Sequence, residues 1–213
     1  MEDEILQVLS TLENYKRSLR EDALAGDIEA LQLYVEALGV RLSSASYAAL
    51  LTDEFAGLSN RERAAFVREI VGVATARLFD YSESVAYDSV QTAFKSKGWL
   101  ITPARATAVT ERIAGLVAGA NDYVVKDAFA EGARVLNNSI HNVNQSSVRT
   151  LLENSSEKVR DLTGSHLQGM RTIHRATACD FCRSLAGKLV PLTPNSSHSH
   201  WHDNCNCTIE IEL

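Results

Sequence analysis

From Glu2 to about residue 164, the apolar side chains of this chain recur at steps of three and four, with charged and small polar residues between them. That spacing gathers the apolar positions into one stripe of a helix, and such a helix is stable only when another element covers the stripe. The chain must therefore fold as helices packed on helices. Ile5, Val8, Leu9, Leu12, Tyr15 and Leu19 mark one amphipathic helix from Glu2 to about Ala25. Gly26 and Asp27 interrupt the pattern, which Ile28, Leu31, Tyr34, Val35 and Leu38 resume up to Gly39, a helix stop by residue type. A short third helix follows over about 44–56.

The run SNRE at 59–62 has the spacing of a capping box, with the Ser59 hydroxyl facing the first-turn amides and Glu62 reaching back. It predicts a long helix through Phe66, Val67, Ile70, Val71, Ala74, Leu78 and Phe79 to about Phe94, broken at Gly98. TPAR at 102–105 reads as a threonine cap followed by proline in the first helical position, opening a second long helix to about Leu136. The turn-favouring run NNSIHNVNQSS at 137–147 predicts a loop or an interrupted helix. Val148, Leu151, Leu152, Val159 and Leu162 then mark a last long helix ending near Gly164.

Beyond residue 165 the texture changes. MRTIHRAT, GKLVPL and CTIEIEL are short and richer in β-branched residues, and Ile209, Ile211 and Leu213 alternate with Thr208, Glu210 and Glu212. Alternation marks a strand with one buried face. The expected fold is mainly α: an extended multi-helix region over 1–164, then a small α+β module over 165–213.

All four cysteines lie in that module. Cys179 and Cys182 have the C-x2-C spacing of a zinc knuckle, and His202, Cys205 and Cys207 form H-x2-C-x-C downstream. Structural zinc takes four ligands from these five. Cys179, Cys182 and Cys205 are the favoured three, with the fourth open between His202 and Cys207. Metal binding would help fold a module of about 45 residues, which is too small to hold its strands by burial alone. Disulfides are the rival if the protein works outside a cell. A thioredoxin-type redox pair lacks its βαβ context. Catalytic zinc of the deaminase kind lacks H-x-E before the C-x2-C. His198 and His200 read as solvated loop, Trp201 as a lid over the knuckle, and His166 and His174 as neighbours of Arg171 and Arg175 able to meet an anion.

Composition narrows the function. A net charge of −6 and a pI near 5.5 argue against a protein that coats nucleic acid through a broad basic surface. The start MEDEILQ is acidic where a secretory signal would be basic and then apolar, so the reading is a protein folded in a cytoplasm, without a membrane span. The chain holds no phosphate-binding loop, dinucleotide fingerprint, nucleophile elbow or H-E-x-x-H. No enzyme is expected.

The order ACDFCRSLAGKLVPL, a polar loop, then HWHDNCNCTIEI resembles the C-terminal signature of the phage Mu F-like minor head proteins, or head morphogenesis proteins. The matching positions are Cys179, Cys182, Leu185, Gly187, Lys188, His202, Cys205 and Cys207. GSHLQGMRTIHRATACDFC before them also fits. Where many members carry proline after the histidine and arginine between the last cysteines, this chain has Asp203 and Asn206. The resemblance implies a low-copy virion protein of the portal and capsid interior, made in the bacterial host cytoplasm. Its expected partners are the portal protein or the major capsid protein, with packaged DNA as a further contact. The rivals are a metal-dependent enzyme acting on nucleic acid, using His198, His200 and His202, and a host zinc-binding adaptor.

Overall fold

In the computed structural model of the chain, residues 2–106, 110–172, 180–193 and 208–212 are described. They form a mainly α protein with a small antiparallel sheet near the C-terminus. The helices are α1 (Glu2–Ser10), α2 (Arg17–Leu24), α3 (Ile28–Leu50), α4 (Asp53–Gly57), α5 (Asn60–Ala65), α6 (Val73–Ser96), α7 (Thr110–Val124), α8 (Phe129–Thr163) and α9 (Asp180–Leu185). The strands are β1 (Gln168–Thr172), β2 (Leu189–Pro191) and β3 (Thr208–Glu212). The chain divides into two compact units: residues 1–15, 35–81 and 107–145 make one, and residues 16–34, 82–106 and 146–213 the other.

The long helix expected from Ser59 is present. Ser59 Oγ accepts from Glu62 N at 3.4 Å, and Glu62 Oε2 accepts from Ser59 N at 2.8 Å, so the capping box is closed. From there α5 runs through a π-helical stretch at Phe66–Gly72 into α6. At Gly72 a Cβ would come within 3.0 Å of Val117 Cγ2, so the glycine lets α7 approach. The helix stops at Ser96, and Gly98 takes the positive φ of 74° that a turning residue needs there.

The first expected helix is broken in two. Ser10 and Thr11 hydroxyls donate to Gln7 O at 2.9 Å each, a 3-10 turn follows at Leu12–Asn14, and Lys16 adopts φ 48° before α2 begins. Serine and threonine that bond their own backbone compete with helix continuation. The ring of Tyr15 packs under the Arg41 guanidinium, 4.5 Å from its centroid. Asp27 does start the next helix, accepting from Ala30 N at 2.9 Å.

Gly39 does not stop that helix: α3 runs through it to Leu50, absorbing most of the expected third helix. A Cβ on Gly39 would already touch His141 Cα at 3.5 Å and Asn144 Nδ2 at 3.4 Å, so a longer side chain would separate α3 from α8. Close packing offsets the cost of glycine inside a helix, about 1 kcal/mol.

TPAR opens no helix. Residues 101–106 are an extended strap, and α7 begins only at Thr110. The strap's backbone groups are taken up by α8: Ala104 N donates to Ser155 Oγ at 2.9 Å, and Lys158 Nζ donates to Thr102 O at 2.9 Å. The helix expected to reach Leu136 is also interrupted, because Asp127 turns the chain at φ 56° between α7 and α8. Asp is among the few residues that tolerate this conformation.

The run at 137–147 is neither loop nor break but the middle of the 35-residue α8. Its polar residues are drawn inward. Asn144, Ser146 and Ser147 are buried, and Asn144 Nδ2 donates to Val35 O at 2.7 Å. As expected, the helix ends at Thr163, with Gly164 at φ 82°.

Arg63 ties three chain segments of its unit together. Its side chain is 9% exposed; Nε donates to Phe55 O at 3.3 Å, Nη2 to Ala56 O, and Nη1 to Asn60 Oδ1 at 3.4 Å and to Asp127 Oδ1 at 2.5 Å. The guanidinium also lies over the Phe129 ring at 4.6 Å, and Phe129 packs edge-on against Phe55 at 5.6 Å.

Arg63→Ala would leave the Phe55 and Ala56 carbonyls without this donor, and should cost about 2–4 kcal/mol in urea unfolding. Asp127→Asn should cost well under half of that, because Asp127 is 73% exposed and its ion pair is screened. A second expectation concerns pH. Hydrogen bonds from the Ser59 side chain and then its backbone hold the Glu62 carboxyl below its ordinary value. The capping contribution is thus fully present above the ordinary glutamate range and is lost as pH falls through the lowered value. Carboxyl NMR titration should show that lowered midpoint in the native chain and an ordinary one in Ser59→Ala.

Candidate functional site

The sequence places the candidate chemistry in the C-terminal module, whose frame is the three-stranded sheet in the order β2, β1, β3. Both pairings are antiparallel. Gly169 pairs with Val190 on one side and with Ile211 on the other, so these three form one row across the sheet. Val190 is buried and Ile211 half-buried, in keeping with the expected strand that buries one face.

The register sets where the cysteine-bearing arms join the frame. Thr172, where β1 ends, pairs with Thr208, where β3 begins, and Leu189 at the start of β2 pairs with Met170 beside them. The arm that carries Cys179 and Cys182 leaves Thr172 and returns to Leu189, while Cys207 is covalently joined to Thr208. Both arms therefore attach at one end of the sheet.

Cys182 lies on α9. Cys179, His202, Cys205 and Cys207 lie outside the described residues, as do His174, Arg175, His198, His200 and Trp201. Among the described residues no three His, Cys, Asp or Glu side chains gather as metal ligands. The intervening Leu185, Gly187 and Lys188 have a plain structural use. Leu185 is buried at the end of α9, Gly187 takes φ 69°, and Lys188 N donates to Leu185 O at 3.2 Å before the chain enters β2. A short helix is closed by a left-handed glycine so that a strand can follow immediately.

The sheet is fastened to α8 through residues that the sequence reading did not single out. Leu167 N donates to Ser156 Oγ at 2.9 Å, and Leu192 N donates to Leu167 O at 2.8 Å, so one buried hydroxyl anchors the entry to β1 and, through it, the exit from β2. His166 Nδ1 lies 3.4 Å from the same hydroxyl and 3.8 Å from Glu157 Oε1. Glu157 Oε2 also pairs with Arg160 at 2.7 Å. The Arg160 guanidinium is held charged above its ordinary range, first by its hydrogen bond to Asp161 and then by the Glu157 charge. Ser155, Ser156 and Lys158 carry no sequence motif. Their role is visible only once the strap and the sheet lie against α8.

A helical protein with a small three-stranded C-terminal sheet, whose two cysteine-bearing arms meet the sheet at one end, is a binding or assembly scaffold in class. The description of the family model that matches residues 41–212 is VG15 protein, and the chain belongs to that family. No curated protein and no solved structure matches it. No helix among the described residues is long and apolar enough to cross a membrane.

Ser156→Ala would strip the Leu167 amide of its buried acceptor. It should destabilise the chain by about 1–2 kcal/mol and speed amide exchange at Leu167 and Leu192 more than at Leu38 in α3.

Proposed function

We propose that this chain is a phage minor head protein of the Mu F-like kind, acting by binding at the portal and capsid interior during head assembly and not by catalysis. The observation that carries the reading is the order of the C-terminal signature on its frame. C-x2-C, the L-x-G-K segment that closes α9 into β2, and H-x2-C-x-C running into a terminal strand all belong to one small sheet module.

The donor set suits zinc: thiolates and an imidazole are the ligands of closed structural sites. Cys179, Cys182 and Cys205 would hold the ion, with His202 or Cys207 as the fourth ligand. Attachment of both arms at the Thr172–Thr208 end of the sheet favours this fit. The bound metal would supply cross-linking and no chemistry. It would tie the two loops to the sheet and let the module present a stiff surface to a portal or capsid subunit, because a structural ion contributes its binding energy to folding. In a finished particle, disulfides between the same cysteines would have the same mechanical effect.

The test is co-expression of the tagged chain with the portal protein encoded beside it, followed by co-purification and metal analysis. The expected result is a portal complex containing one zinc per chain, with both zinc and thermal stability lost in Cys182→Ser. A chain that leaves the portal and capsid proteins unbound, or whose bound zinc keeps an exchangeable water and cleaves nucleic acid, would overturn the reading.

A further inference from the structure

We propose that the chain associates with itself head to tail, the basic strap after α6 of one copy docking on the acidic first helix of the next. The inference is independent of the proposed head-protein role and rests on two surfaces of opposite charge, each built around an exposed leucine.

The first surface is the strap. After Gly98 turns the chain, Trp99 packs against Phe94 at 5.6 Å between ring centroids, and Pro103 is buried. Ala104 N, Thr102 O and Arg105 O are bonded to Ser155, Lys158 and Asn154 of α8. Leu100, between these fixings, is 99% exposed. A large apolar side chain held fully in water by an anchored backbone is what a docking knob requires. Leu162, one helical turn beyond Lys158, is 57% exposed. No acidic residue occurs between Asp88 and Glu111, a stretch that carries Lys95, Lys97 and Arg105 in a chain of net charge −6. Arg105 is engaged by Glu83 at 2.7 Å, whereas Lys95 and Lys97 are exposed and have no carboxylate in ion-pair reach among the described residues.

The second surface is α1. Leu6 is 42% exposed, and Glu2, Asp3 and Glu4 in the preceding turn are exposed, with no cation in ion-pair reach among the described residues. Pairing strap with strap would set lysines against lysines, and pairing α1 with α1 would set carboxylates against carboxylates. Only strap on α1 brings opposite charges together around the two leucines. Such an interface joins different patches of successive copies, so it propagates into a ring or a filament and does not close as a two-fold dimer.

Sedimentation of the full chain from about 5 µM to about 500 µM tests this, a range that covers weak contacts of modest area. The expected result is concentration-dependent growth beyond the monomer, suppressed by high salt, because exposed charges are screened. Leu100→Asp should weaken it by about tenfold or more while leaving the circular dichroism unchanged. Lys95→Glu/Lys97→Glu and Glu2→Lys/Asp3→Lys should each remain monomeric alone, and their mixture should associate again, because every strap then finds an α1 of opposite charge. A chain monomeric throughout, a Leu100→Asp variant that associates like wild type, or a mixture that stays monomeric would each overturn the proposal.

Discussion

Polar side chains buried along α8 must find partners inside the protein, and meeting that requirement organises much of what surrounds the helix. Asn144 takes a carbonyl of α3, Ser155 takes an amide of the strap, and Ser156 takes the amide that leads into β1. A buried hydroxyl or amide left without a partner costs about 1–3 kcal/mol, so each attachment is also what makes burial of that residue tolerable. α8 contributes to both compact units, and within each it is the element to which less regular chain is fastened.

Arg63 does for one unit what the α8 serines do for the other. A guanidinium offers five donors in a fixed fork, and here they close the end of α4, the start of α5 and the bend between α7 and α8. Most of these partners are backbone carbonyls and not carboxylates. The anchor therefore depends little on the exposed Asp127 charge and much on the geometry of the turns that it joins.

The C-terminal module joins structure to the proposed role. Its sheet is small, but its register brings the ends of β1 and β3 together, and the two cysteine-bearing arms attach there. A cross-link at that end, whether by zinc or by disulfide, would stiffen a frame whose own apolar face is little more than Val190, Ile211 and the neighbouring leucines. A surface stiffened in this way loses less entropy on docking, which suits a protein that works through contacts.

Sequence alone determined the features that depend on neighbours along the chain: the helical class from three- and four-step periodicity, the Ser59 capping box, the stops at Gly98 and Gly164, and the alternation of the last strand. It also carries the ligand pattern of the candidate site, because metal spacing is local, although four of those five residues lie outside the described structure. Tertiary structure decided the rest. Gly39 lies inside a helix because α8 approaches there, TPAR is a strap because Ser155 and Lys158 bind its backbone, and NNSIHNVNQSS is helical because its polar groups are buried. In each case a residue with a strong local preference met a partner far along the chain. The hydrogen bond or close contact formed there outweighed a propensity worth about 1 kcal/mol or less.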